Sequence, residues 1–183
     1  MNQIQKVSRC FRYLFLVVLV FLPILQVGFW LTDGQLFGVK EWLRGFDLQM
    51  IPPNLPPLST LSSEIKFFGF LINCIPMAFT MVVVFFIQRL FKLYEEMKIF
   101  SESNVQCIRK IGWTLLCAQM AQPIYQVLIT FVLSFHNPVG QRVVALDFDQ
   151  DNLMGIFWGF LLILVSWIMN EGRKLEEEQK YTI

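Results

Sequence analysis

LFKLYEEMKIFSESNVQCIRKIGW, residues 90–113, is the stretch whose reading decides the fold. An apolar run leads into it and another leads out of it. Basic residues mark both of its ends: Arg89 and Lys92, then Arg109 and Lys110. Ser103-Asn104-Val105-Gln106 has the capping-box form, in which a serine side chain and a glutamine three residues on satisfy each other's free backbone N–H groups. A helix is therefore expected to start at Ser103. The whole stretch reads as the turn of a helical hairpin at a membrane surface.

The totals support a membrane setting. The chain has 183 residues, 55% hydrophobic and only 16% charged, with 19 phenylalanines. A soluble domain carries about 25% charged residues. The charges are clustered, so long stretches have none. Four apolar segments of spanning length result, at about residues 13–32, 67–88, 111–135 and 152–170. The expected fold is all-α: one membrane domain over residues 1–183, a bundle of four transmembrane helices, its partner the lipid bilayer. Pro23, Pro76 and Pro123 lie within spans and are expected to kink them. The second helix is expected to run on past Gln88 without a break.

The connections are uneven. Leu36, Val39, Leu43, Phe46 and Met50 recur at helical spacing, which predicts a short amphipathic helix in the first loop. IPPNLPPLSTL then predicts an extended return. RVVALDF, in the loop before the fourth span, reads as a short extended segment. Asp147 within it, with Asp149 and Asp151 after it, forms an acidic run; helix-dipole stabilisation and a weak cation site are both open readings. The run departs from a calcium-binding loop, with Asn152 and Trp158 where glycine and glutamate are needed.

Charge sets the orientation. The N-terminus, the connector (residues 89–110) and the tail (residues 171–183) hold Lys6, Arg9, Arg12, Arg89, Lys92, Lys98, Arg109, Lys110, Arg173, Lys174 and Lys180. The two other loops hold only Lys40, Arg44, Lys66 and Arg142. Positive residues gather on the cytoplasmic side. Both termini are therefore expected inside, with the amphipathic loop helix outside.

No catalytic set stands out. His136 is the single histidine and lies beside a turn. No glycine-rich phosphate loop or cofactor motif is present, so no enzyme activity, metal or cofactor is expected. A net charge of +1 gives no reason for direct nucleic-acid binding. Cys10, Cys74, Cys107 and Cys117 form no CxxC pair and read as free thiols, with an approach of Cys10 to Cys107 left open.

Three polar or small-residue features remain. Gln119, Gln122, Gln126 and Thr130 form a stripe on the third span, beside Tyr125. Amides in lipid need partners. Asn73, Thr80 or Gln26 could supply them, or the stripe with Tyr125 and Asn73 could line a small-molecule pocket. Gly155 and Gly159 form a GxxxG with Ser166 on the same side, suited to close packing within the chain or in a homodimer. The connector and tail keep apolar residues among their charges, including Phe100 and Leu175, as a docking face would.

Two of these pieces carry a resemblance. Phe100, Asn104, Val105, Arg109, Lys110, Ile111 and Gly112, with Glu171, Gly172, Leu175, Glu178, Gln179, Thr182 and Ile183, match the patterns of a family. It is the small bacterial four-span membrane proteins of domain of unknown function 2975, the YoaS-like group, which this chain resembles over most of its length. Lys180 stands where an acidic residue is expected. The resemblance implies no enzyme. It implies a bacterial inner-membrane protein with a cytosolic partner such as a small Cro/CI-type helix-turn-helix regulator. The leading expectation is a regulator or adaptor docking through Phe100, Asn104, Arg109, Lys110, Gly112, Glu171, Gly172, Leu175 and Glu178. The alternative is a small-molecule binder or transporter using the polar stripe.

Overall fold

A computed structural model describes residues 3–33, 58–99, 101–135, 142, 144, 146 and 150–181, with backbone only at 176 and 179–181. Four long helices dominate: α1 (Gln3–Leu31), α2 (Ser63–Glu95), α3 (Glu102–Leu133) and α4 (Gln150–Tyr181). A 3₁₀ turn, Leu58–Thr60, precedes α2. The described residues include no strand. All four helices contain a stretch long and apolar enough to cross a membrane, and they make this a multi-pass membrane protein.

Each helix outruns its apolar segment. α1 begins ten residues before the expected span and carries Lys6, Arg9 and Arg12 on helical backbone. α2 continues to Glu95, as the uninterrupted pattern predicts. α4 takes in the tail as far as Tyr181, so tail and span are one helix. Pro23, Pro76 and Pro123 are all accommodated without ending their helices. The amphipathic loop helix, His136, Asp147 and Asp149 lie outside the described residues. So does all of RVVALDF except Arg142, Val144 and Leu146, which are exposed and in no regular element. Leu58–Thr60 corrects the end of the expected extended return, because Leu58 folds inward and is buried.

The helix start in the connector is also corrected. α3 begins at Glu102, and its cap is Ser101, not Ser103. The Ser101 hydroxyl accepts from the backbone N–H of Asn104 at 3.3 Å and donates to the Lys98 carbonyl at 3.2 Å. Ser103 is left on the exposed first turn.

Two compact units divide the chain. One comprises Met1–Val20, Phe79–Gln119 and Asp149–Ile183; the other comprises Phe21–Ala78 and Met120–Phe148. In the first, Val84, Val105, Cys107, Ile108 and Ile111 are buried, and Phe11 and Phe15 of α1 stack on Phe91 of α2. α3 and α4 meet there through Gly112 and Gly159. In the second, Trp30, Leu58, Ile65, Tyr125, Ile129 and Leu133 form one cluster, against which Phe29, Leu61, Phe70, Ile72 and Val132 pack. Many other large apolar side chains face outward, among them Val17, Ile124, Phe160 and Trp167. In water such a surface would drive aggregation; in lipid it is the expected exterior.

Candidate functional site

The connector is built as a closed turn. α2 ends in a Schellman motif: the Lys98 N–H bonds the Leu93 carbonyl at 2.9 Å and the Met97 N–H bonds the Tyr94 carbonyl at 3.1 Å. Met97 sits at the left-handed position of that motif, with φ 58°. Glycine is the usual residue there, because it has no Cβ to crowd the carbonyl. Asn104 then fastens the far side. Its side chain is fully buried and its amide donates to the Ile99 carbonyl.

An anchor from α1 holds the same turn. The Arg9 Nε donates to one oxygen of the Glu95 carboxylate and the Arg12 Nη1 to the other, each at 2.7 Å. The Gln5 Nε2 reaches the Glu95 backbone carbonyl at 3.4 Å. Gln5, Arg9 and Arg12 follow one another at steps of four and three, so one face of α1 makes all three contacts. The Glu95 side chain is mostly shielded, at 15% exposure, so this ion pair is less screened than a surface one. In the sequence alone, Arg9 and Arg12 speak only to orientation. The three-residue polar face just before an apolar run was the available signal. Beside it, Glu96 lies in solvent, and a hydrogen bond from Lys98 holds its carboxyl below the usual carboxylate range.

The residues expected to dock a partner do not all do the same work. Gly112 is internal: a Cβ there would lie 2.8 Å from the Gly159 carbonyl oxygen and from the Ile163 side chain. It lets two backbones approach, as Gly159 does from the other side. Lys110 is exposed, with its ammonium 5.4 Å from the centre of the Phe86 ring. Arg109 is half-buried. In the tail, Lys174 pairs with Glu171 at 3.0 Å and Arg173 with Glu177 at 2.6 Å. Gly172, Leu175 and Glu178 are exposed, and a Cβ on Gly172 would meet nothing within 4 Å. Phe100 lies outside the described residues. Cys10 is exposed, Cys107 is buried, and both are free.

Among the described residues, four buried side-chain polar atoms have no hydrogen-bond partner: the Asn104 Oδ1, the Arg109 Nε, the Arg173 Nε and the Trp30 Nε1. Native proteins leave few such atoms, and each costs about 1–3 kcal/mol if it stays unmet. Three of the four belong to the connector and tail segments.

The polar stripe of the third span divides. Gln119 lies against Gly155 in the first unit, so the GxxxG makes room for an amide as well as for a backbone. In the second unit, the Asn73 Nδ2 donates to the Tyr125 hydroxyl at 3.0 Å, and the Gln26 Nε2 reaches the Cys74 Sγ at 3.8 Å. Gln122 and Gln126 are half-buried. Thr130 is buried and donates to the Gln126 carbonyl one turn back.

A family model described as "Protein of unknown function (DUF2975)" matches residues 47–183. No curated protein and no solved structure matches the chain.

Proposed function

We propose a function from this premise: the chain belongs to the DUF2975 family of proteins of unknown function. It is a non-enzymatic regulator or adaptor of the bacterial inner membrane. Its connector and tail face the cytosol and dock a cytosolic protein, a small helix-turn-helix regulator being the partner of choice. The single observation that carries this reading is the concentration of unmet polar atoms at Asn104, Arg109 and Arg173. A docked protein that reshapes these side chains could supply acceptors for the two guanidinium groups and a donor for the Asn104 carbonyl. The turn that leads into Asn104 is capped at both ends and clamped by Arg9 and Arg12, so the connector backbone is already ordered before binding.

Affinity purification from cells tests this. A variant carrying Arg109→Gln and Lys110→Gln, and a chain cut after Gly172, should each recover less of a cytosolic partner than the intact protein. Equal recovery in both variants contradicts the docking reading.

The alternative is small-molecule binding or transport by the amide stripe. Asn73, Tyr125 and Gln119 already have packing or hydrogen-bonding roles within the fold, so this reading rests mainly on Gln122 and Gln126. Uptake that changes with Gln122→Leu would favour it.

A further inference from the structure

On the connector side, Arg89 of α2 and Lys110 of α3 are the first charged residues beyond the apolar segments of their helices. Both lie in the first unit and both are exposed. Lys110 reaches across to α2, where its ammonium stands 5.4 Å from the centre of the Phe86 ring. Phe86 precedes Arg89 by three residues and shares its face of the helix. Cys107, buried three residues before Lys110, feels both charges. Burial pushes its thiol up, while Arg89 and Lys110 pull it back down. Two cations from neighbouring helices are thus brought to one side of the hairpin. Among the described residues, neither forms an ion pair with a carboxylate, whereas Arg9, Arg12, Lys98, Arg173 and Lys174 of the same unit all do.

Unpaired cations at that level have a specific complement. The turns just inside the apolar segments are hydrophobic and exposed: Val82 at 40% and Phe85 at 46% on α2, and Trp113 at 56%, three residues on from Lys110. A ligand that satisfies the whole patch carries negative charge at the cations and hydrocarbon on these side chains. The arginine fork can grip both free oxygens of a phosphate diester, and the lysine adds a point charge beside them. A head group with its own ammonium would bring a third cation to the pair. A free phosphate would leave Val82, Phe85 and Trp113 uncovered. Each basic residue at a membrane surface strengthens attraction to anionic lipid by about fivefold, and basic pockets between membrane helices hold anionic heads.

We infer that Arg89 and Lys110 form a binding site for one anionic phospholipid, its phosphate between the two cations and its acyl chains on Val82, Phe85 and Trp113. The site does not rest on the docking proposal. Lys110 is common to both, but Arg89 belongs to the lipid site alone, so the Arg89 variants separate them.

Native mass spectrometry of the full chain in a non-ionic detergent tests the inference, with phosphatidylglycerol, phosphatidylethanolamine and phosphatidylcholine added in turn and no cytosolic protein present. The first phosphatidylglycerol adduct should exceed that of each other lipid by about fivefold. Arg89→Gln should remove most of that preference, and Arg89→Lys should keep most of it. Lys110→Gln should weaken it severalfold. Lys174→Gln changes the net charge by the same amount, but removes a cation already paired with Glu171, and should leave the preference intact. Elution of each variant as a single species on size exclusion shows that it is folded. Soluble glycerophosphoglycerol at the same concentration should not compete. Equal binding of the three lipids, an unchanged preference in folded Arg89→Gln or Lys110→Gln, an equal loss in Lys174→Gln, or full competition by the soluble head group would overturn the inference.

Discussion

Gly112 of α3 and Gly159 of α4 approach so closely that a Cβ on Gly112 would stand 2.8 Å from the Gly159 carbonyl oxygen. Backbone, unlike the end of a flexible side chain, cannot move aside without shifting a helix. Gly112→Ala should therefore destabilise the protein by about 1–3 kcal/mol, the usual cost of overpacking. Gly172→Ala is the internal contrast. Nothing lies near its Cβ position, and alanine favours a helix interior by about 0.5–1 kcal/mol. Melting of the purified variants in detergent should fall for the first and hold or rise for the second. Equal effects would refute the assignment of Gly112 to packing.

The Arg9–Glu95–Arg12 clamp should be visible in salt. Glu95→Gln keeps the shape but removes the charge that both guanidinium groups bind. The cost should be about 1–2 kcal/mol, since the pair is shielded but still touched by solvent. Raising ionic strength should narrow the gap between the intact protein and the variant. A gap that stays constant from low to high salt would show that the contact is not electrostatic.

Met97 offers the opposite sign. It occupies a left-handed conformation at the end of α2 that costs a side chain but not glycine. Met97→Gly should raise stability by about 1 kcal/mol, and Met97→Val should lower it, because a branched Cβ fits that region worst. The order glycine, methionine, valine in melting temperature is the expected outcome.

The Asn73–Tyr125 hydrogen bond joins α2 to α3 within the second unit. Tyr125→Phe deletes the acceptor and should cost about 0.5–2 kcal/mol, the range for polar contacts between membrane helices. A loss well beyond that, with the protein still folded, would point to a wider polar role for Tyr125 than joining two helices.

How much of this was legible in the sequence depended on whether the signal was local. The four helices were readable because uncharged apolar runs of spanning length have few other solutions. Their ends were less so. α1 extends back to Gln3 because Gln5, Arg9 and Arg12 find a tertiary partner in Glu95, which no local pattern names. The cap fell on Ser101 although Ser103 begins the better capping box, because Ser101 also bonds Lys98 and closes the turn that Met97 opens. A methionine in a glycine position leaves no mark on the sequence. The family motifs were visible, yet one of their glycines, Gly112, proved to be a helix-packing residue and the other, Gly172, stands open. Gly69 and Trp30 went unread as a pair because they are brought together only by the packing of α1 on α2.

The claim that matters most is that the connector meets a cytosolic protein. A photocrosslinking residue placed in living cells at Gln106, exposed on the first turns of α3, tests it most directly when compared with one at Trp167, exposed on an apolar face of α4. A discrete protein adduct is expected at Gln106, absent at Trp167 and lost when Arg109→Gln is added. No adduct at Gln106, or one that survives Arg109→Gln undiminished, would contradict it.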